Sequence, residues 1–288
     1  MTLYEEVRAA LRETNFRPKK SLGQNFLIHE RVIESILGML DLGPSDQVVE
    51  IGPGLGFLTR RLLERAGKVW AVEIDAVLLE RLKMSGWADD PKLELIYGDI
   101  LEIALTEKLP QRKLKLAGNL PYSIATPVLF RIFDWRARFS TLVLMVQKEV
   151  ADRIAGAPGT KDYGTLSVWC QVHGRITAKV NVAPEAFFPQ PKVRSTVLKI
   201  ELFDQPMIAD AELTTLRGLV RASFGQRRKT LSNNLTAWLK RPRSDIDQFL
   251  CSCDIDPQRR GETLKVVEFV KLAGRLRRSS FVTAITDS

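Results

Sequence analysis

The tetrad Asn119-Leu120-Pro121-Tyr122 follows the apolar, strand-like run from Leu114 to Ala117 and carries residue types that could grip a flat, amino-bearing ring. The Asn119 side-chain carbonyl and a backbone carbonyl near Leu120 can accept the two hydrogens of an exocyclic NH2, while Tyr122 can stack on the ring face. Adenine fits that description. Taken alone, the four residues fit a strand-terminating turn better, because Asn and Pro are common loop residues.

Upstream, Glu50-Ile51-Gly52-Pro53-Gly54-Leu55-Gly56 places three glycines at alternate positions between a strand and a helix. Gly52 and Gly54 sit where a backbone must approach a ligand closely and where φ can be positive. The spacing differs from the dinucleotide fingerprint, and no Lys-Ser/Thr pair follows to cradle a phosphate, so a pyrophosphate grip is disfavoured. Glu73 lies 23 positions beyond Glu50, at the end of the next strand, where a carboxylate can accept from both hydroxyls of a ribose. Asp99 closes the third strand in Tyr97-Gly98-Asp99-Ile100, where it can accept from an adenine amino group. Each acid alone reads as a solvated loop charge, but acids at the carboxyl ends of consecutive strands mark the place where open sheets bind ligands. Together they describe an adenosine site without a pyrophosphate grip. S-adenosylmethionine answers to that, and methyl transfer is the implied reaction. Cys170, Cys251, Cys253, His29 and His173 are too few and too scattered for a metal site, so no metal is expected.

The elements that must position these residues are legible in the periodicity. Ile28, Val32, Ile33, Ile36, Leu37 and Leu40 recur at helical spacing, and Gly43-Pro44 ends that helix. Gln47 to Ile51, Val69 to Ile74, Leu93 to Tyr97, Leu114 to Ala117 and Thr141 to Val146 read as short apolar strands separated by helices. Such alternation predicts an α/β fold with a doubly wound, mostly parallel sheet buried on both faces. Val168 to Val182 and Val197 to Phe203 read as longer strands pairing antiparallel at the sheet edge, and Gly156 to Gly164 as a surface loop. Beyond Asp204-Gln205-Pro206 the spacing is helical throughout. The expected division is a catalytic domain over 1–205 and a small all-helical domain over 206–288.

A chain of 288 residues with 45% hydrophobic composition can bury a substantial core. Its formal net charge of +9 favours a polyanionic partner. No stretch approaches a bilayer span, and the charged N-terminus lacks the apolar core of a secretion signal, so the expectation is a cytoplasmic protein without membrane contact.

These residues together resemble the ribosomal RNA adenine dimethyltransferases, a family that modifies two adjacent adenosines near the 3′ end of small-subunit RNA. The resemblance spans nearly the whole chain and rests on Ser21-Leu22-Gly23-Gln24-Asn25-Phe26-Leu27, the glycine turn, Glu73, Gly98-Asp99 and the Asn119 tetrad, and equally on Phe187-Phe188-Pro189-Gln190-Pro191-Lys192-Val193-Arg194-Ser195 and Gln226-Arg227-Arg228-Lys229-Thr230. It implies a Rossmann-like class I methyltransferase in which Asn25, Leu27, Gly52, Glu73, Asp99 and Asn119 contact S-adenosylmethionine. The target adenine is then held by Asn119, Leu120, Pro121 and Tyr122, with a base-contacting phenylalanine from the proline-framed loop, Phe187 being preferred over Phe188. Asn25 could equally be a simple cap on the first long helix. The implied partners are small-subunit ribosomal RNA and the small ribosomal subunit, met by a monomer. RNA is expected along Arg17, Lys19 and Lys20 and along Arg221, Arg227, Arg228 and Lys229, although charge runs are also common on solvated helix faces. Three other functions compete: methylation of a large-subunit RNA adenine, a DNA adenine methyltransferase, and a ribosome assembly or transcription factor without catalysis. Leu120 stands where the DNA enzymes are expected to carry proline, and the complete set of cofactor-contacting types disfavours lost catalysis.

Overall fold

A computed structural model describes residues 3–13, 16–19, 22–121, 124–205 and 207–279. The chain begins with α1 (Leu3–Glu13), β1 (Phe26–Leu27) and α2 (Glu30–Leu40). Alternating elements follow: β2 (Gln47–Ile51), α3 (Phe57–Arg65), β3 (Lys68–Glu73), α4 (Ala76–Lys83), β4 (Leu93–Tyr97), α5 (Leu105–Lys108), β5 (Leu114–Asn119), α6 (Ala125–Asp134) and β6 (Phe139–Gln147). Next come α7 (Lys148–Ile154), α8 (Thr165–His173), β7 (Gly174–Val182), β8 (Phe187–Phe188) and β9 (Ser195–Leu202). The last elements are α9 (Leu213–Gly225), α10 (Leu231–Leu239), α11 (Arg243–Ser252) and α12 (Val266–Arg278).

Among the described residues, seven strands form one sheet in the order β4-β3-β2-β5-β6-β9-β7. From β4 across to β6 the pairings are parallel, and β9 runs antiparallel to β6. The order reverses at β2, since β3 and β4 lie to one side and β5 to the other. Open sheets bind ligands at such a switch point, outside the carboxyl ends of the strands. The strands read as near-continuous apolar runs because helices cover both faces. On one face Ile33, Ile36, Leu37 and Leu40 of α2 pack with Val48, Val69, Ala117 and Val143 of the sheet. Each such burial contributes about 1.5–3 kcal/mol before entropy is counted.

Two compact units result: Met1–Ala151 with Arg175–Leu202, and Asp152–Gly174 with Phe203–Ser288. The expected boundary at 205 placed 152–174 with the sheet, whereas the structure packs this segment with the C-terminal helices. Within the second unit the Tyr163 hydroxyl donates to the Leu264 carbonyl at 2.8 Å, and the Tyr163 ring meets Phe224 edge-on at 5.8 Å. The expected long strand over Val168 to Val182 is also corrected, because its first part is helix α8 and only Gly174–Val182 is strand. Leu166, Val168, Trp169, Cys170 and Val172 are all buried. A helix buried all round shows no amphipathic stripe, and its β-branched and aromatic content mimics a strand.

Candidate active site

Glu73 is the last residue of β3 and Asn119 the last of β5, while Gly52 follows β2 directly and Asp99 follows β4 by two residues. Four strand ends thus deliver four of the expected residues to one cavity of about 140 Å³. Asn25, Leu27 and Gly54 line the same cavity, as do Leu120 and Pro121. Tyr122 and Lys20 lie outside the described residues.

The glycine turn follows from its backbone angles. Gly52, Gly54 and Gly56 have φ of 69°, 60° and 83°, in the left-handed region that side chains disfavour. Turning this way frees the Gly54 N–H to donate to Glu73 Oε2 at 3.0 Å, while Glu73 Oε1 accepts the Asp75 N–H at 2.9 Å. Both carboxylate oxygens are thereby held, and each keeps lone pairs for a further donor. Burial pushes the Glu73 carboxyl above the ordinary range, against those two backbone hydrogen bonds. Glu50, 2% exposed at the base of the turn, is pushed up to about 8 by burial, with the nearby Glu73 charge adding to the rise and the Thr59 hydroxyl opposing it from 2.7 Å. Burial thus keeps Glu50 largely neutral at pH 7.

The N-terminal motif reaches the cavity through pairings that local sequence does not announce. β1 pairs antiparallel with β8, Phe26 opposite Phe188 and Leu27 opposite Phe187, so two distant motifs form one ribbon. Asn25 is not a helix cap: α2 begins at Glu30 with His29 in the cap position, and the Asn25 amide donates to the Gly23 carbonyl at 3.0 Å. The Asn25 carbonyl accepts from Asn119 Nδ2 at 3.0 Å, which fixes the Asn119 amide with Oδ1 as its acceptor end. Leu120 is anchored by its N–H to the Met145 carbonyl at 3.0 Å.

Phe187, the phenylalanine expected to contact the base, is buried rather than held exposed by the prolines. Its ring is 2% exposed and packs among the α2 and sheet residues, because the β1–β8 register turns it inward. Phe188 is half-buried and meets Tyr4 edge-on at 6.2 Å. Lys19 is paired rather than open: its ammonium lies 3.0 Å from Asp75. Arg227 is likewise paired, with Glu262 at 3.0 Å. Arg221, Arg228 and Lys229 are exposed in the second unit.

Several residues of the site went unread in the sequence. Asp75 is 2% exposed, caps α4 through the Val77 N–H at 3.0 Å, and accepts from Lys19 and from Gln24 Nε2, the latter at 2.9 Å. Burial raises the Asp75 carboxyl, but the bonds from Lys19, Gln24 and Val77 outweigh it and hold the group below its usual range. A cap acid directly after Glu73-Ile74 was the available signal. Ile74, 42% exposed, and Ile100 supply apolar walls for a flat ring, and an exposed isoleucine beside a ribose-type acid could have been noticed. The acid held by two backbone N–H groups, the glycine turn open to close approach and these apolar walls fit an adenosine-bearing methyl donor.

Comparison with known proteins agrees with this geometry. The sequence model of the ribosomal RNA adenine dimethylase family matches residues 15–273. Ribosomal RNA small subunit methyltransferase A of Geobacter metallireducens is 44% identical over 267 residues, covering 91% of this chain and 97% of that protein. A solved dimethyladenosine transferase from Plasmodium falciparum superposes with a TM-score of 0.78 at 26% identity, covering 88% of this chain and 98% of the other. The solved 23S rRNA methyltransferase ErmE gives a TM-score of 0.66 at 25% identity, covering 88% and 100%. With the match running through both units and the whole strand-end site, the chain belongs to the ribosomal RNA adenine dimethylase family.

Proposed function

We propose that this enzyme transfers four methyl groups, two to the N6 of each of two adjacent adenosines in a hairpin near the 3′ end of small-subunit ribosomal RNA, acting as a monomer on the small subunit. The small-subunit assignment is supported by the relative named above. The observation that carries the chemistry is the Asn119 amide, locked by donation to the Asn25 carbonyl so that Oδ1 is its acceptor.

S-adenosylmethionine, when bound, supplies an electrophilic sulfonium methyl. Glu73 would hold the ribose hydroxyls, Asp99 the adenine amino group, and Gly52 and Gly54 the close backbone approach. Adenine N6 is a poor nucleophile because its lone pair is delocalised into the ring. Acceptance of its two hydrogens by Asn119 Oδ1 and a backbone carbonyl at Leu120-Pro121 favours a pyramidal nitrogen with its lone pair aligned on the methyl. The N6 proton becomes acidic once the methyl has transferred, so no strong base is required. Extruding the base costs a few kcal/mol, which stacking at about 1–3 kcal/mol per aromatic offsets. Tyr122 is the stacking residue in this reading.

The test is to incubate the protein with radiolabelled S-adenosylmethionine and either unmodified small subunits or naked large-subunit RNA, and then map the labelled bases. Two dimethylated neighbours in the small-subunit RNA are expected. Label confined to large-subunit RNA would move the substrate, and no label in either would refute the reading.

A further inference from the structure

The loop from Gly156 to Gly164 has no core function along its tip, since residues 157–161 are all exposed, yet it is held by the rest of the second unit. The Gly159 N–H donates to the Glu262 carbonyl at 2.7 Å, and Gln171 Nε2 donates to the Gly156 carbonyl at 2.8 Å. Arg227 grips it most heavily: Nη1 donates to the Lys161 carbonyl at 2.9 Å and Nη2 to the Thr160 carbonyl at 3.5 Å. The same guanidinium donates through Nε and Nη2 to Glu262 Oε2 at 3.1 and 3.0 Å. One arginine therefore uses its planar fork to join two loops, and its donors are engaged inside the protein. At the loop's base the buried Tyr163 hydroxyl and the Ser167 hydroxyl, which donates to the Arg153 carbonyl, complete the anchoring.

A surface loop ordered from several sides costs conformational entropy that its own exposed residues do not return through burial. Pre-organisation of that kind serves binding. The bond to the Lys161 carbonyl sets Lys161 beside the segment that carries exposed Arg228 and Lys229, and Arg260 is exposed two residues before Glu262. The acids of these segments are Asp162 and Glu262, and Glu262 is neutralised by Arg227. What remains is a net-basic surface in which the exposed Lys161, Arg228, Lys229 and Arg260 outnumber the half-buried Asp162. We infer that the 157–161 loop is an RNA-contacting element in which Lys161 meets backbone phosphate, and that Arg227 is the positioning residue that clamps it. This rests on the ribosomal RNA substrate proposed above and extends it to a segment remote in sequence from the basic run.

The experiment measures binding of the full-length protein to unmodified, naked small-subunit ribosomal RNA across a salt series, with wild type, Lys161→Ala, Lys161→Arg, Arg228→Ala and Arg227→Ala. Loss of one phosphate contact lowers the slope of log affinity against log salt by about 0.7–0.9. Lys161→Ala and Arg228→Ala are each expected to show that loss, Lys161→Arg to restore it, and S-adenosylmethionine affinity to stay at the wild-type value as a check of folding. Arg227→Ala is expected to weaken RNA binding together with faster amide hydrogen exchange over 157–161. A wild-type slope in Lys161→Ala beside a lowered slope in Arg228→Ala overturns the loop's role and leaves the proposed function standing. Weaker binding in Arg227→Ala with unchanged loop exchange makes Arg227 itself the phosphate ligand and overturns the clamp. A defect of Lys161→Ala seen on assembled subunits but absent on naked RNA makes the partner a protein and overturns the RNA contact. Failure of the wild-type protein to bind the RNA either naked or within unmodified small subunits defeats the proposed function itself.

Discussion

The Asn119 amide donates to the Asn25 carbonyl, and under the proposed function its Oδ1 accepts from the target base, so its replacement tests that chemistry. Asn119→Ala is expected to fold normally and to lose at least about 100-fold in methyl transfer, the scale of one oriented polar group at a reacting centre; full activity in a single-turnover assay would refute the role. Glu50 makes a prediction in pH. Its carboxyl titrates near 8 when folded and near the ordinary 4.5 when unfolded, so the folded state holds the extra proton between those values. Stability is therefore lost as pH rises through that window and levels off above it. Glu50→Gln, always neutral, should flatten the fall of melting temperature between pH 5 and 8 without abolishing it, since Glu73 is shifted in the same direction. An unchanged slope would mean that Glu50 is ionised in the folded protein. The Asp75 carboxylate holds Lys19 and Gln24, and under the proposed function it positions through them the N-terminal segment that borders the cofactor. Asp75→Ala should raise the KM for S-adenosylmethionine several-fold with a smaller change in kcat, alongside about 1 kcal/mol of lost capping; an unmoved KM would confine Asp75 to the helix cap.

At the scale of elements, the glycine turn shows two different demands within five residues. A Cβ at Gly52 would meet nothing within 4 Å, so Gly52→Ala carries only the backbone cost of a φ of 69°, about 1–2 kcal/mol. A Cβ at Gly56 would lie 2.7 Å from Leu82 and from the Trp87 ring, so Gly56→Ala adds overpacking of about 1–3 kcal/mol to the same backbone cost. Urea midpoints should therefore rank wild type, then Gly52→Ala, then Gly56→Ala, and a reversed order would contradict this packing. The β1–β8 ribbon is the other element-scale device. Its alternation sends Phe187 into the core and leaves Phe188 nearer the surface, a consequence of period-two geometry that one residue of register would invert.

For the whole molecule, the second unit is discontinuous in sequence, and this has a consequence for truncation. Removing everything after 205 deletes Phe224 and Leu264, the partners of the Tyr163 ring and hydroxyl, and exposes Trp169 and its neighbours on α8. A 1–205 fragment should bind a hydrophobic dye and aggregate, whereas a native-like melting transition without dye binding would show that 152–174 needs no C-terminal partners. No described helix is long and apolar enough to cross a membrane.

The sequence by itself determined the parallel sheet, the glycine turn and the acids at strand ends, because each is written in local periodicity or in residues a few positions apart. It also named Asn25, Leu27, Glu73, Asp99 and Asn119, which the strand ends and the β1 segment bring to one cavity. Tertiary structure alone decided what depends on distant partners. Lys19 and Arg227 look like free cations in a basic run until Asp75 and Glu262, 56 and 35 residues away, are folded against them. Phe187 looks exposed between prolines until its strand pairs with β1, and α8 looks like a strand until a helical unit closes around it. Charge pairing, ring burial and the assignment of a segment to a unit are set by contacts across the fold, which local composition does not encode.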